Sequence, residues 1–237
     1  MFRNNRRDTI PAFYPELLRQ KHLLIAGATG SGKSTLINAL LYTALFQPPD
    51  KIQFILLDQK GVELQNFEYL PHTIKYAVKP SDTIAALKYA RKICDLRFNQ
   101  MRRKRQKLYS GSDIYIIIDE FADLVTMNKK EVIPLIQSLT QIGRAAKIHV
   151  ILCTQCPISK IIPTEIKVNF DSRIALKTAC KQDSINIIGV TGAENLEVGC
   201  CYYKHSAALD RVFVPEIPDN KLIDMCDLWL PFWLKIK

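Results

Sequence analysis

The sequence contains no long apolar segment. No uncharged apolar stretch reaches the roughly 18 residues that a membrane-spanning helix needs. The stretch from Met1 to Pro11 is charged and polar, whereas a secretory signal would be apolar. We therefore expect neither a transmembrane segment nor a signal peptide, and we predict a cytoplasmic protein.

Histidine is scarce as well. None of the four histidines has the paired spacing of zinc ligands. The pairs Cys153-x-x-Cys156 and Cys200–Cys201 therefore lack partners for a four-ligand site. Because cytoplasmic proteins keep their thiols reduced, we expect the seven cysteines to be structural thiols. A metal or redox role for the first pair is the alternative.

Linkers rich in glycine and serine, internal repeats and low-complexity tracts are also absent, which predicts a single domain. Short apolar runs alternate with longer amphipathic stretches. Continuous apolar strands separated by helices are typical of a parallel sheet covered on both faces, an α/β architecture. The predicted strands are 22–26, 52–58, 74–78, 114–119, 147–154 and 173–178, with one or two short β segments after residue 200. The predicted helices are 33–46, 81–108, one that starts near residue 120, and 130–145.

The first predicted strand runs directly into a glycine-rich turn that matches G-x-x-x-x-G-K-[ST] at every fixed position. In such a loop the glycines let backbone N–H groups point at phosphate oxygens, and the next helix adds its positive N-terminal end. The lysine would reach the β- and γ-phosphates, and the serine hydroxyl would ligate Mg²⁺. We therefore predict ATP and Mg²⁺ as cofactors, with Ser34 as a metal ligand. The predicted nucleotide-binding residues are Gly27, Ala28, Thr29, Gly30, Ser31, Gly32, Lys33, Ser34 and Thr35.

Hydrolysis requires further groups, and the strand 114–119 ends in two adjacent acids. Asp119 would hold Mg²⁺, and Glu120 would polarise the attacking water. At the end of strand 147–154, Gln155 after Thr154 would sense the γ-phosphate. An arginine from a neighbouring subunit often stabilises the γ-phosphate in such enzymes, and Arg144 and Arg173 are the two candidates. The predicted catalytic residues are Glu120, Lys33, Gln155, Arg144 and Arg173.

An ordered set of segments carries a family resemblance: HLLIAGATGSGKST, FILLDQKGVELQNFEYLPH, IYIIIDEFADLV, GRAAKIHVILCTQCP, SRIALK and GAENL. On these motifs residues 22–214 resemble the FtsK/SpoIIIE DNA translocases, a branch shared with HerA-like motors and conjugative coupling ATPases. The resemblance implies a RecA-like P-loop NTPase fold with a mainly parallel sheet flanked by helices. It also implies a hexameric ring that threads double-stranded DNA. In that family the Asp119 to Asp123 run carries the metal and catalytic carboxylates, and Gln155 is the sensor.

The resemblance divides the chain into an N-terminal arm (1–21), an ATPase motor domain (22–215) and a C-terminal tail (216–237). Cys156 stands where the family has an arginine, and residues 197–200 replace its Gly-Met-Gly-Asp. The family's membrane segments, accessory domain and winged helix have no counterpart in the sequence. We therefore expect ring assembly to involve a membrane-anchored or accessory partner. The tail, which ends in WLPFWLKIK, would pack on the domain or bind a membrane or a partner.

The formal net charge of +10 points to a polyanionic partner. Residues 81–108 concentrate it, and such a cluster gives the sequence-blind grip on duplex DNA that a motor needs. A solvated helix face or a contact within a ring is the alternative, and Lys60 and residues 159–167 are other possible DNA contacts. The clustered cations are Arg91, Lys92, Arg97, Arg102, Arg103, Lys104, Arg105 and Lys107.

These observations predict an ATP-dependent double-stranded DNA translocase that serves DNA transfer or segregation, for example of a mobile element. Two alternatives stay open. One is an ATPase that powers protein export, as in type VII secretion, and the other is a nucleotide-gated adaptor without motor activity. Stimulation of ATP turnover by DNA would favour the DNA translocase, and negligible turnover would favour the adaptor.

Overall fold

The structure, a computed structural model, describes residues 13–234, with side chains as far as Pro231. Within these residues eight strands form one sheet in the order β3-β2-β4-β5-β1-β6-β7-β8. The first six strands of this order pair in parallel, and β7 and β8 add an antiparallel hairpin at one side. The strands are β1 (His22–Ala26), β2 (Ile52–Leu57), β3 (Thr73–Ala77), β4 (Asp113–Ile118), β5 (Ile148–Thr154), β6 (Ser172–Ala175), β7 (Cys200–His205) and β8 (Ala208–Phe213).

Helices cover both faces of the sheet, as its apolar strands require. Helices α1, α2 and α7 share one buried apolar cluster with the sheet, and α3, α4 and α5 share another. The predicted α/β architecture with a mainly parallel sheet is therefore confirmed. The helices are α1 (Phe13–Arg19), α2 (Lys33–Ala44), α3 (Pro80–Lys104), α4 (Phe121–Ile142), α5 (Thr164–Lys167), α6 (Lys181–Ile188) and α7 (Asp219–Leu234).

The predicted break in the helix after Glu120 occurs inside α4. Asn128 has φ −153° and ψ 70°, which is not helical. Its Oδ1 accepts the backbone N–H of Glu131 at 3.2 Å, and its Nδ2 donates to the Glu131 carboxylate at 3.0 Å. Asn128 therefore caps the second half of the helix, as asparagine does at helix N-termini.

One predicted strand is too long. The strand expected at 173–178 ends at Ala175. The residues that follow leave the sheet to support the glycine-rich loop after β1, because the N–H of Ala28 donates to the carbonyl of Lys177 at 2.8 Å. A backbone group committed to a loop is not available to continue the ladder.

The two ends of the chain contribute helices that the sequence pattern did not predict. In α1, Tyr14 is buried, and its hydroxyl donates to the carbonyl of Pro215 at 2.6 Å. In α7, the indole N–H of Trp229 donates to the carbonyl of Leu45 at 3.0 Å, and the ring packs edge-on against His72. The tail therefore packs on the domain as far as Trp229. Met1 to Pro11, the side chains of Phe232 and Trp233, and Lys235 and Lys237 lie outside the described residues.

The state of the cysteines and the character of the helices relate to the expectations of structural thiols and of no transmembrane segment. All seven cysteines are free thiols, and four of them are buried. Between residues 13 and 234 no cluster of three or more potential metal-ligating side chains occurs. Over the same range no helix combines the length and apolarity needed to cross a membrane.

Parallel strands give the sheet two chemically different edges. At the carboxyl edge the chain leaves β1, β4 and β5 through residues 27–32, 119–120 and 155–157. At the amino edge it enters the same strands, close to the C-terminal end of α3 and the α4–β5 junction. In open α/β sheets ligands bind in the crevice at the carboxyl ends of the strands.

Candidate nucleotide-binding site

The glycine-rich loop joins β1 to α2 at the carboxyl edge. Gly27 has no room for a side chain, because an added Cβ would lie 2.6 Å from the Ser31 hydroxyl and 2.8 Å from the Leu176 Cβ. Gly32 precedes α2 with φ 96°, a left-handed conformation that glycine adopts without strain. The loop is therefore tightly curled, and it leads directly into the N-terminal end of a 12-residue helix.

Lys33 is the first residue of α2, and its side chain turns back over the loop. The residue is 9% exposed, and its Nζ donates to the carbonyl oxygens of Gly27 at 2.8 Å and Ala28 at 3.4 Å. Burial lowers the pKa of the ammonium, while Glu120 and Asp119 oppose that shift. The lysine is thus a fixed, largely desolvated cation at the bottom of the site.

Asp119 leaves the end of β4 and is buried. Burial raises its pKa to about 6, and the nearby carboxylates of Glu63, Asp58 and Glu120 contribute to the shift. Several acids facing one another in a partly desolvated site favour a bound cation. Carboxylate and hydroxyl oxygens are the ligands that Mg²⁺ prefers, and the Ser34 residue lines the same cavity.

Glu120 follows directly and is 5% exposed. Its Oε1 accepts the Thr154 hydroxyl at 2.8 Å and the backbone N–H of Ala122 at 3.2 Å. Its Oε2 accepts the backbone N–H of Gln155 at 3.0 Å. The carboxylate is therefore fixed between the first turn of α4 and the end of β5. The sequence pattern gave no sign of the Thr154 contact.

Gln155 links the end of β5 to the glycine-rich loop. Its Oε1 accepts the hydroxyl of Thr29 at 2.5 Å, while its backbone N–H binds Glu120. The structure thus brings the loop, the two acids and this glutamine together at one edge of the sheet, as the sequence motifs predicted.

These groups line a cavity of about 600 Å³. The part of its wall that sequence analysis missed comes from the C-terminal third of the chain, including Val198, Gly199 and Phe213 of the β7–β8 hairpin region. Val198 is 65% and Phe213 67% exposed, so apolar surface lies open beside the loop. The only local sign was the departure of residues 197–200 from the family pattern.

The loop after β2 forms another wall of the cavity. Asp58 is fully buried, and its carboxylate accepts the backbone N–H groups of Gly61 and Leu64, each at 2.9 Å. This bracing presents Lys60 and Glu63 to the cavity. Lys60, considered above as a DNA contact, therefore lines the same cavity as Lys33.

The two candidate arginines lie away from the cavity. The Arg173 guanidinium donates to the backbone carbonyls of Phe170 at 2.9 Å, Lys167 at 3.0 Å and Ile187 at 3.1 Å. Its assignment as a trans-acting arginine needs correction, because the side chain is committed to its own subunit. Arg144 is exposed in the α4–β5 junction at the amino edge, and between residues 13 and 234 its side chain makes no hydrogen bond or ion pair.

The basic cluster of α3 needs a correction as well. Arg97 is 5% exposed, donates to the carbonyls of Ala146 at 2.8 Å and Lys147 at 3.1 Å, and lies over the Tyr109 ring. It is a core residue and not a DNA contact, and Arg91 is bound to Asp95 and Ser138. Six exposed cations remain whose side chains have no partner in the described part of the chain: Lys92, and five that follow Met101. We call these five the basic end of α3: Arg102, Arg103, Lys104, Arg105 and Lys107.

Comparisons with known proteins identify the family that the chain resembles. Residues 3–113 match the FtsK/SpoIIIE family. A protein named DNA translocase FtsK from Rickettsia typhi is 35% identical over 225 residues, which cover 76% of this chain and 30% of the relative. The chain thus matches less than a third of the length of this relative.

Two solved structures share the fold. The conjugation coupling protein TcpA of pCW3, in a monomer form with ATPγS, superimposes with a TM-score of 0.78 at 24% identity over 90% of this chain and 66% of that one. The cytoplasmic domain of the type VII secretion ATPase EccC from Thermomonospora curvata gives a TM-score of 0.73 at 24% identity over 89% of this chain and 28% of that one.

Proposed function

This chain belongs to the FtsK/SpoIIIE family, and from that premise we propose that it is an ATPase that couples hydrolysis of ATP to movement of double-stranded DNA. One observation carries the proposal. A phosphate-binding loop, a buried acid pair and a glutamine bonded to both meet at one cavity. A loop that only bound nucleotide would not need the held carboxylate of Glu120.

The triphosphate binds to the loop from Gly27 to Thr35. Backbone N–H groups of the loop and the N-terminal end of α2 supply fixed positive potential. Lys33 exchanges its two carbonyl contacts for β- and γ-phosphate oxygens, which are stronger acceptors because they are charged. The rest of the nucleotide would contact the exposed apolar surface of Val198 and Phe213, which line the same cavity.

Ser34 and Asp119 are the proposed ligands of Mg²⁺. When bound, the ion neutralises developing charge on the β- and γ-phosphate oxygens. Burial is the largest cause of the raised pKa of Asp119, and repulsion from the carboxylates of Glu63, Asp58 and Glu120 raises it further. A divalent cation would relieve the repulsion among these carboxylates. The fit of the donor set to Mg²⁺ therefore rests on its oxygen chemistry and its excess of negative charge.

Glu120 is the proposed general base, and Gln155 helps to orient the attacking water. The Glu120 carboxylate is held by three donors, so it needs no reorganisation to accept a proton from water. The Gln155 side chain extends toward the phosphate loop through its bond from Thr29. A side chain bonded to the loop is well placed to respond to the γ-phosphate.

Duplex DNA is the proposed substrate that moves, and the basic end of α3 is a proposed contact for its backbone. The relatives' name and the net charge of +10 support this choice. Contacts to phosphates release counterions and do not depend on base sequence, which suits a protein that travels along DNA.

We further propose that subunits form a hexameric ring in the cytoplasm, assisted by a membrane-anchored or accessory partner. Arg144 is then the remaining candidate for a cation that acts on a neighbour's γ-phosphate, since it is exposed and its side chain has no partner in residues 13–234. Mixing Arg144→Ala subunits with Lys33→Ala subunits tests this role. Restored turnover in hybrid sites supports it, and the absence of any restoration rejects it.

ATP turnover with and without linear duplex DNA, at low and moderate salt, tests the main proposal. We expect DNA to stimulate turnover, salt to weaken the stimulation, and Glu120→Gln to abolish turnover. Glu216→Gln is the matched control, because Glu216 lines the same cavity but makes no hydrogen bond to Glu120 or to the three groups that hold its carboxylate. Its turnover should stay within about threefold of the original.

Two other outcomes would redirect the assignment. ATP turnover that does not respond to DNA would favour protein export, the alternative to which the similar structure named a type VII secretion ATPase points. Binding of ATP without turnover under any condition would favour a nucleotide-gated adaptor and would contradict the enzyme assignment.

A further inference from the structure

The Thr154 hydroxyl lies between Glu120 and the backbone after β5. Thr154 is fully buried, and its Oγ1 is 2.8 Å from Glu120 Oε1 and 3.1 Å from the backbone N of Cys156. The Cys156 carbonyl is also near the hydroxyl, but at 3.5 Å. A contact of that length is at the limit of a hydrogen bond and competes poorly with one of 2.8 Å.

The Cys156 amide fixes the direction of the hydroxyl. A backbone N–H can only donate, so Thr154 Oγ1 must accept from Cys156. Its own hydrogen is then free to point at Glu120 Oε1, which as a carboxylate oxygen can only accept. The hydroxyl is therefore a directed donor, and it does not rotate between alternatives.

Sheet register explains why these two residues meet. In the parallel pairing of β4 with β5, Ile118 lies opposite Leu152. Glu120 and Thr154 are each two residues further along, so they leave neighbouring strands side by side on the same face.

The bonds also distinguish the two oxygens of Glu120. Oε1 accepts from the Thr154 hydroxyl, from Ala122 N–H and, at 3.2 Å, from Gln155 N–H, which it shares with Oε2. Among the described residues Oε2 accepts only the shared Gln155 N–H, at 3.0 Å, and so it retains the greater capacity to accept a further hydrogen bond. The bonds thus occupy Oε1 more fully and leave Oε2 the more available to water.

We infer that Thr154 is a positioning residue for ATP hydrolysis, which holds Glu120 Oε1 so that Oε2 faces the attacking water. The inference deepens the proposed function and rests on it. Thr154 itself touches neither nucleotide nor water in this scheme. Its effect belongs to the chemical step and not to ATP binding.

The test compares Thr154→Val, which keeps the shape but removes both the donor to Glu120 and the acceptor of the Cys156 N–H, with Thr154→Ser, which keeps both. We expect Thr154→Val to lower kcat by about 10- to 100-fold, because small misplacements of a reacting group have effects of that size. KM and the affinity for ATPγS should stay within about threefold, since a group that acts only in the transition state lowers kcat alone. Thr154→Ser should recover most of the turnover.

Thr43→Val is the matched control. Thr43 is also a buried threonine, but its hydroxyl donates to the Ala39 carbonyl within α2, away from the cavity. Its kcat should be unchanged. Thermal unfolding of each variant separates loss of fold from loss of chemistry, and Thr154→Ala, which only removes atoms, replaces Thr154→Val if that variant does not fold.

Three results would count against the inference that Thr154 positions Glu120, and a fourth would count against the proposed function itself. A Thr154→Val kcat within twofold of the unmodified protein would overturn the inference, and so would a Thr154→Ser variant as slow as Thr154→Val. A parallel loss of ATPγS affinity would assign Thr154 to nucleotide binding instead. If the unmodified protein and Glu120→Gln are equally inactive, the proposed function fails, and that result is distinct from failure of this inference.

Discussion

The two edges of the sheet use charged side chains in opposite ways. At the carboxyl edge Lys33, Asp58 and Glu120 are buried, and each makes at least two hydrogen bonds to its own chain. At the amino edge, the five cations of the basic end of α3 are exposed, and their side chains have no partner in residues 13–234. The buried charges of the nucleotide site are fixed, and the charges of the basic end of α3 are left in solvent.

The difference follows from what each edge is proposed to bind. Transfer of a phosphoryl group requires reacting atoms to be held in a near-attack geometry, so a loose carboxylate or ammonium loses rate. Contact with a DNA backbone needs only positive charge near phosphates, and flexible exposed lysines and arginines supply it. Between these two groups, internal hydrogen bonding therefore separates the charges proposed for chemistry from the charges proposed to contact DNA.

Lys33→Ala should produce the largest effect, because it removes a fixed charge from the carboxyl edge. We expect turnover to fall by about 100- to 1,000-fold, the usual loss when one preorganised donor to a reacting oxygen is removed. Lys60→Ala is the matched comparison, since Lys60 lines the same cavity but is exposed. Steady-state ATP turnover and nucleotide binding measure both. Equal losses of ATP turnover in the two variants would contradict the distinction between the hydrogen-bonded cation Lys33 and the exposed cation Lys60.

Arg97 provides the next test, because it lies in the same helix as the basic end but is held. Arg97→Ala would leave the carbonyls of Ala146 and Lys147 without their buried donor. We expect the free energy of unfolding to fall by about 3 kcal/mol. Arg103→Ala, at an exposed position of α3, should change it by less than about 0.5 kcal/mol. Urea denaturation of the two variants decides, and similar stabilities would contradict the assignment of Arg97 to the core.

His22 shows that the amino edge also contains a held titratable group. Its Nδ1 accepts the backbone N–H of Val150 at 3.1 Å. Burial lowers the pKa of His22 to about 4, and the neighbouring His149 adds to the shift. Protonation would cost this bond and place a charge in the core.

The sign of the pH effect follows from that lowered pKa. Between pH 6.5 and 4 the unfolded chain binds a proton at His22 that the folded chain does not, so stability falls as pH falls. From pH 7 to pH 5 we expect a loss of about 2 kcal/mol from this group. His22→Asn keeps an acceptor for Val150 and should remove that part of the loss. An unchanged pH dependence in urea unfolding would show that another group is responsible.

The elements that sequence analysis predicted are those whose signal is local. The glycine-rich loop, the acid pair after β4 and Gln155 each sit at the end of an apolar run, and parallel pairing brings such ends to one edge. The fold class and the family resemblance are confirmed for the same reason. Short helices such as α1 and α6 carry too few residues for a clear periodic pattern.

The residues that sequence analysis missed depend on contacts between distant segments. Thr154 is identified as a neighbour of Glu120 only by the register of β4 with β5. Arg173 is fixed by carbonyls of residues 167, 170 and 187, which no local pattern connects. Arg97 did have a signal, because Ala90, Cys94, Arg97 and Met101 form the buried stripe of α3 at helical spacing. An arginine on that stripe belongs to the core.

The smallest expected effect tests the free charges of the basic end directly. Lys104→Gln with Lys107→Gln removes two cations, and we expect duplex DNA to bind about tenfold more weakly at low salt. The control removes Lys51 and Lys88, which are also exposed lysines but are paired with Asp50 and Glu131. If both lysines of the basic end meet phosphates, the slope of log affinity against log salt should decrease by about 1.8. The control should leave the slope unchanged, because a cation already paired with a carboxylate adds little net charge to the surface. Equal slopes for the two double variants would mean that exposure alone, and not the lack of an internal partner, determines which lysines meet DNA.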